Sequence, residues 1–283
     1  MHLLLSAILA TVPLPDGGGG DILGVVGMRT VQRGESLIEI ARQHNVGFNA
    51  IAAANPGLDA FVPTPGAQLL VPTSWIVPRA AVPGAIVVNL SEMRLYLFPR
   101  GSGAPESFPV GVGMEGWHTP LGSFTVVSKT ANPTWYPPAS IRREQPDLPA
   151  KVPPGPDNPL GTHAMRLSVG SILIHGTDQP YGVGRKASHG CIRLYPEDIP
   201  RLYEQVALRT RVITVREPVK VGVRRGRVFV EAHDDPDAPV DVAAEAARLL
   251  AARRLSTAVD AQKLTAALEE RRGFPVDVTL DGF

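Results

Sequence analysis

Short hydrophobic runs in the first part of the chain predict two strands and two helices. Met28 to Pro72 shows the order strand, helix, helix, strand, which requires a compact core in so small a unit. Ser36 and Glu39 have the S-x-x-E spacing of a capping box, and this spacing predicts that the first helix begins there. Asn49 is the candidate cap of the second helix, which is predicted to extend through Ala54.

From Ala85 the pattern changes to short β-rich runs. Two of them, at 86–90 and 94–98, are close enough to predict a hairpin. Further strands are predicted at 107–113, 122–128, 171–174 and 211–215, and a helix at 196–206. Residues 131–162 are rich in proline without a clear period, which predicts a long irregular loop.

In the last part of the chain, apolar and polar residues first alternate, as in strands, and then follow the spacing of amphipathic helices. A hairpin is predicted around Arg224-Arg225-Gly226, followed by helices near 241–254 and 260–272. This segment carries no set of catalytic residue types, so we interpret it as a structural appendage. Taken together, the elements predict a mainly β protein with short helices, of class α+β.

Composition narrows the classes of function. The chain has 28 Lys and Arg against 27 Asp and Glu, a net charge of +1 that gives no reason to expect a nucleic-acid partner. Its single cysteine excludes an intramolecular disulfide and any zinc site built on cysteine pairs. A hydrophobic content of 44% is enough for a folded core.

The N-terminus resembles a weak export signal. An apolar run from Leu3 to Ala10 is long enough for a signal core, but only His2 precedes it, where a signal normally has basic residues. The run is too short to span a membrane, and we expect no transmembrane segment. Asp16 to Asp21 then reads as a flexible glycine-rich linker.

The chemistry-bearing segment surrounds Cys191. Gly190 precedes it and a strand-like run follows it, so the thiol is expected at the edge of a loop that a substrate can approach. His189 and Arg193, each two positions away, are expected to lower the thiol pKa. His175 ends an apolar strand and is the better candidate base, while His189 has a supporting or orienting role.

A cysteine and a histidine in this arrangement can transfer acyl groups through a thioester. Backbone N–H groups at Gly190 and Cys191 are candidate donors to the oxyanion of the tetrahedral intermediate. A zinc site made of His175, His189 and Cys191 is the alternative, although no fourth ligand is recognisable. No metal or other cofactor is expected.

Residues 28–75 resemble a LysM domain. The resemblance rests on Thr30 to Leu37, Ile40-Ala41, Asn55-Pro56, Pro65-Gly66 and Leu69 to Pro72. It implies binding to glycans that contain N-acetylglucosamine, such as peptidoglycan. A small packing module without a ligand is the alternative.

Residues 84–216 resemble the L,D-transpeptidase catalytic domain of the YkuD type. The resemblance rests on His175, on Ser188-His189-Gly190-Cys191, and upstream on Gly111-Val112-Gly113, Thr119-Pro120, Gly122 and Phe124. With a LysM-like unit before it, the chain is similar to the ErfK/YbiS group of periplasmic transpeptidases. The resemblance implies a β-sandwich-like fold, Cys191 as nucleophile and His175 as proton donor and acceptor. Supporting positions are Ser188, His189, Gly190, Arg193, Gly176 and Thr177.

The implied reaction is peptidoglycan transpeptidation in the periplasm. The thiolate attacks the third-residue carbonyl of a tetrapeptide stem, D-Ala leaves, and an amine of another stem or of an envelope lipoprotein accepts the acyl group. Two alternatives stay open, a hydrolase of the same bond and a non-catalytic peptidoglycan-binding protein. The predicted regions are a signal-like segment and linker (1–27), the LysM-like domain (28–75), the catalytic domain (84–216) and the C-terminal appendage (217–283).

The proline-rich loop suggests one further hypothesis. Trp135, Tyr136 and His163 could form a cap that shields a thioester from water. The alternative is a surface loop without a role in the reaction.

Overall fold

A computed structural model describes residues 21–238 and 240–282. The signal-like run from Leu3 to Ala10 lies outside the described residues. Among the described helices, none combines the length and the apolar character needed to cross a membrane. The chain forms two compact units, of which one contains the segments before Ala80 and after Glu217, and the other contains residues 80–217.

The elements are short, and most are strands. The helices are α1 (Leu37–Gln43), α2 (Phe48–Ala54), α3 (Ala139–Glu144), α4 (Asp198–Gln205), α5 (Val242–Ala252) and α6 (Ala261–Glu270). The first strands are β1 (Ile22–Gly24), β2 (Gly27–Thr30), β3 (Gln68–Val71), β4 (Ser74–Ile76), β5 (Ile86–Asn89), β6 (Arg94–Leu97), β7 (Glu106–Pro109), β8 (Val112–Gly113) and β9 (Gly122–Ala131). The remaining strands are β10 (His163–Leu167), β11 (Leu173–His175), β12 (Lys186–Ser188), β13 (Ile192–Arg193), β14 (Arg211–Val215), β15 (Val219–Arg224), β16 (Arg227–Ala232) and β17 (Val276–Asp277). The α+β prediction is confirmed.

The capping box predicted at the first helix is present. The Ser36 hydroxyl accepts from the Glu39 N–H at 3.3 Å, and the Glu39 carboxylate accepts from the Ser36 N–H at 3.2 Å. The second helix differs from the prediction, because it begins at Phe48 after Gly47 instead of after an Asn49 cap. Its N-terminus has no side-chain cap, so the nearby asparagine misled the sequence analysis.

The unit of residues 80–217 is built on an eight-stranded sheet, in the order β13-β11-β10-β9-β14-β5-β6-β7. The predicted hairpin is confirmed as the antiparallel pair β5 and β6. The pairs β5–β14 and β11–β13 are parallel, and the other neighbours are antiparallel. Leu95, Met165 and Ile174 contribute to a core that α4 covers with Ile199 and Leu202. This core fixes the end of β11, where His175 lies.

In the other unit, the C-terminal segment forms a small sheet of β15, β16 and β17 with α5 and α6 packed on it. The predicted hairpin and both helices are confirmed, and each helix begins at an aspartate cap, Asp241 or Asp260. Strand β15 also lies against the β1–β4 pair: the N–H of Val223 donates to the Asp21 carboxylate at 3.0 Å. The C-terminal segment is therefore one compact body with the N-terminal strands and helices.

Candidate active site

Cys191 lies in a tight turn between β12 and β13. The Ser188 hydroxyl donates to the Cys191 carbonyl at 2.5 Å, and the Thr119 hydroxyl donates to the Gly190 carbonyl at 2.9 Å. Gly190 has φ +97°, a left-handed conformation that side chains with a Cβ rarely adopt. The turn is therefore held by hydrogen bonds to two successive carbonyl groups.

The N–H groups of the same turn are left available. Over residues 21–238 and 240–282, those of Gly190 and Cys191 donate to no other residue. The hydrogen bond to the Gly190 carbonyl fixes the peptide plane that this carbonyl shares with the Cys191 N–H, so the Cys191 N–H has a defined direction before any substrate arrives. Preorganised donors of this kind are what an oxyanion requires.

The loop before β9 contacts the turn that contains Cys191 and stabilises it. Gly113 pairs with Ser188 between β8 and β12, and its N–H donates to the Thr119 hydroxyl at 3.0 Å. A Cβ at Gly113 would lie only 2.1 Å from the Trp117 carbonyl oxygen, so this close approach requires glycine. Sequence analysis quoted Gly113 and Thr119 as part of a resemblance but gave neither a role.

His175 is buried at the end of β11, with 3% of its surface exposed. Its Nδ1 lies 2.6 Å from the Gly176 carbonyl oxygen, and a carbonyl can only accept, so Nδ1 carries the proton. Burial is the main reason that its pKa falls to about 3, with the Arg193 charge adding to this effect and the Gly176 hydrogen bond opposing it. Neutral His175 therefore presents an unprotonated Nε2, which can accept a proton.

Strand register places the turn that contains Cys191 next to β11, the strand that ends at His175. In the parallel pair β11–β13, His175 is opposite Arg193 and Ile174 is opposite Ile192. Cys191 comes immediately before β13, so this register places the turn that contains Cys191 beside β11. The two residues that sequence analysis selected thus lie on neighbouring segments of the chain, one at the end of β11 and the other just before β13.

The Cys191 thiol donates a weak hydrogen bond to the Ser171 carbonyl at 3.9 Å. Burial raises the pKa of this thiol, and a Leu173 backbone hydrogen bond and the Arg193 and Arg166 charges oppose the rise only partly. The expectation that His189 and Arg193 would lower the thiol pKa was therefore wrong in its net direction. Desolvation of the thiolate outweighs the nearby positive charge.

His189 points toward a different partner. Its Nε2 lies 3.0 Å from a carboxylate oxygen of Glu144, and its ring centre is 4.9 Å from that of Trp117. Glu144 ends α3, a helix within the segment predicted as irregular. A contact across 45 positions leaves no local pattern in the sequence, which is why Glu144 was missed.

Of the three residues predicted to form a cap, Trp135 and Tyr136 lie in the proline-rich segment, but His163 does not. Trp135 forms an antiparallel bridge with Val152, and Tyr136 is exposed. His163 instead begins β10, and its ring centre lies 4.5 Å from that of Tyr203. Within this segment, α3 reaches the turn that contains Cys191 through the contact between Glu144 and His189.

The remaining predicted positions lie around this pair. The Thr177 hydroxyl accepts from the Gln179 N–H at 2.9 Å, and the Gly176 N–H donates to the His163 carbonyl at 3.2 Å. Both contacts fix the chain just after His175. The N–H and carbonyl of Arg193 both bond to Gly111 at 2.9 Å, which fixes β13 just after Cys191.

Replacing Glu144 with glutamine should loosen α3 from the turn that contains Cys191. The contact is partly exposed, and exposed charged contacts contribute about 0.2–1 kcal/mol, so we expect turnover to fall by about 1.4- to fivefold. If α3 shields the acyl-enzyme from water, the share of hydrolysed product should also rise. Product analysis that separates hydrolysed from transferred product measures both quantities.

Asp147→Asn is the matched control, because it removes an exposed carboxylate from the same segment without touching His189. It should leave both quantities at the wild-type value. An unchanged ratio of hydrolysis to transfer in Glu144→Gln would reject the shielding role of α3.

Comparison with known proteins gives two family matches. The L,D-transpeptidase catalytic domain (YkuD) matches residues 83–215, and the LysM domain matches residues 30–72. Both matches fall on the segments for which the corresponding resemblance was stated.

Relatives match over nearly the whole chain. The chain is 38% identical to the probable L,D-transpeptidase YcfS of Escherichia coli K12, over 98% of this chain and 90% of that protein. It is 36% identical to the probable L,D-transpeptidase ErfK/SrfK of the same organism, over 97% and 92%. It is 39% identical to the probable L,D-transpeptidase YbiS, over 81% and 76%. The chain therefore belongs to the L,D-transpeptidase family and carries a LysM domain before its catalytic domain.

Proposed function

We propose that this chain is a cysteine-dependent transpeptidase of peptidoglycan, with Cys191 as nucleophile and His175 as the group that carries the proton. One observation supports this assignment best: Cys191 lies in a turn with fixed carbonyls and available N–H groups, and the strand after this turn pairs with the strand that ends at the neutral His175. Family membership supplies the reaction class.

The first half of the reaction forms a thioester. His175 Nε2 takes the thiol proton as the Cys191 sulfur bonds to the third-residue carbonyl carbon of a tetrapeptide stem. The N–H groups of Gly190 and Cys191 stabilise the oxyanion, an effect of about 3–4 kcal/mol for a single donor. The C–N bond to D-Ala then breaks, and His175 returns its proton to the leaving amine.

The second half reverses these roles. An amine of another stem, or of an envelope protein, attacks the thioester and gives its proton to His175. The C–S bond breaks, an amide forms, and the cysteine sulfur regains the proton. Water in place of the amine would give hydrolysis, which is the alternative outcome.

The LysM domain suggests how the substrate is held. We assign it to the glycan strands of peptidoglycan, so that the catalytic domain acts on stems attached to the bound polymer. This substrate lies outside the inner membrane, so the proposed location is the periplasm or cell envelope. An envelope lipoprotein is one candidate acceptor.

Mass spectrometry of disaccharide-tetrapeptide stems incubated with the purified chain tests the assignment, with Cys191→Ala as the control. Loss of D-Ala together with crosslinked dimers, both absent in the variant, is the expected result. Tripeptide without dimers, even after candidate amine acceptors are added, would favour the hydrolase. Unchanged stems would reject both enzymatic readings and favour a binding protein.

A further inference from the structure

The unit that contains the LysM domain has an open cleft of about 690 Å³. Its lining residues come from two distant parts of the chain: Asn55, Pro56, Leu58, Gln68, Glu270 and Arg272. The first four lie within the LysM match, whereas Glu270 is the last residue of α6 and Arg272 follows that helix, both far outside the match. The C-terminal segment therefore forms one wall of this cleft.

Two contacts hold the walls in place. Arg272 donates to the Ala54 carbonyl at 2.5 Å, which satisfies a free carbonyl at the end of α2 with a positive charge. The Asn55 amide donates to the carbonyls of Ile51 and Leu70, each at 2.8 Å, and accepts from the Leu70 N–H. Because the wall is ordered before binding, a ligand would lose little free energy in ordering it.

The lining has the chemistry of a sugar site. Pro56 and Leu58 are apolar, while Gln68 and Glu270 are exposed polar side chains. The charges of Glu270 and Arg272 oppose each other, so the cleft is not suited to a strongly charged ligand of either sign. A sugar ring has an apolar face and a rim of hydroxyls, and those hydroxyls can donate to a carboxylate and accept from an amide.

We propose that the C-terminal segment completes a binding cleft for an oligosaccharide of N-acetylated amino sugars, in which Glu270 accepts hydrogen bonds from the sugar. This inference rests on the glycan binding proposed above for the LysM domain. It gives the segment after the catalytic domain a role in binding as well as in structure.

Isothermal titration of the full chain with chitotetraose tests the proposal. Hydrogen bonds to a charged group contribute about 1.5–3 kcal/mol, so Glu270→Gln should raise the Kd roughly tenfold or more. Glu269→Gln is the matched control, because it removes the neighbouring carboxylate of α6, which is not part of the lining. It should bind as the wild type does. Urea unfolding verifies that both variants are folded.

Gln68→Ala reports on the wall that belongs to the LysM match. If it weakens binding while Glu270→Gln binds like the wild type, the glycan uses the LysM residues alone and the inference is wrong. If the wild type binds no chitotetraose, both the inference and the proposed glycan binding fail. Transpeptidation by Cys191 would then still be decided separately by the stem products.

Discussion

Replacing His175 with alanine should lower the rate of thioester formation by about 10²–10⁴-fold, the usual contribution of a general base. Its Nδ1 proton is fixed on the Gly176 carbonyl, so Nε2 is the nitrogen available to the thiol. His175→Gln is a second variant that leaves a smaller cavity in this buried position. Single-turnover release of D-Ala from a tetrapeptide stem measures the rate, and circular dichroism verifies the fold.

The pKa values of the pair specify its resting state. The pKa of His175 is about 3, and burial raises that of Cys191, so near neutral pH the pair is a neutral imidazole and a protonated thiol. Few thiolates are then present before substrate binds. Alkylation of Cys191 by iodoacetamide should therefore accelerate about tenfold for each pH unit from about pH 6 to pH 8.

Two results would contradict this neutral pair. Rapid alkylation that is independent of pH over this range would indicate a preformed thiolate and a protonated histidine. A rate of D-Ala release that falls tenfold for each unit below about pH 6.5 would indicate a histidine with its ordinary pKa. The structure predicts no such fall, because His175 stays unprotonated down to about pH 3.

Local signals in the sequence predicted the elements well. The capping box at Ser36, the β5–β6 hairpin and the two helices that begin after Asp241 and Asp260 each depend on residues a few positions apart. Cys191 and His175 were selected from the residues next to each of them and from the resemblance to the catalytic domain, in which the spacing of the two residues is part of the signature. The structure adds that His175 pairs with Arg193, two positions after Cys191, in the β11–β13 register.

Long-range contacts escaped the sequence analysis. Glu144 reaches His189 from a helix inside a proline-rich segment, and Arg272 reaches α2 from the far end of the chain. The net direction of the Cys191 pKa shift was also missed, because burial depends on the whole fold whereas neighbouring charges are visible in the sequence.

The hydrophobic pattern of strand β15 also fails to reveal a long-range contact. Its alternation suggests a polar face toward solvent, yet Lys220 and the opposite residue Glu231 are both fully buried. Strands β1 and β4 cover that face so closely that a Cβ at Gly222 would lie about 3.1 Å from Ile76 and 3.2 Å from Ile22. A face that looks polar in the sequence is thus an interior surface with a buried ion pair.

Lys220→Met should destabilise this unit by about 3–5 kcal/mol, because it leaves the Glu231 carboxylate buried without its ammonium partner. Lys220 Nζ lies 2.9 Å from one Glu231 oxygen and donates to the Ile76 carbonyl at 2.7 Å. The other Glu231 oxygen accepts from the Ile76 N–H at 2.5 Å. The pair therefore joins β4 to the C-terminal sheet, and the double variant Lys220→Met/Glu231→Leu should recover most of the loss.

The dependence on pH separates this charge effect from a simple packing defect. Burial alone would raise the pKa of Glu231, but Lys220 and His233 together lower it below its ordinary value. A lowered pKa contributes stability above the unfolded pKa of about 4.3, and this stability is lost as the pH falls through the folded value. In Lys220→Met, burial is opposed by less positive charge, and protonating Glu231 removes the uncompensated charge.

The difference in unfolding free energy between wild type and Lys220→Met should therefore shrink as the pH falls from about 7 toward 4. Urea unfolding can be followed by Trp75, which is buried in β4, in a background where Trp117 and Trp135 are replaced with phenylalanine. A difference that stays constant across this range would show that the loss comes from imperfect packing of the methionine and not from the charge of Glu231. A difference that shrinks would show that the fold needs the charge, because it has buried a carboxylate between two sheets.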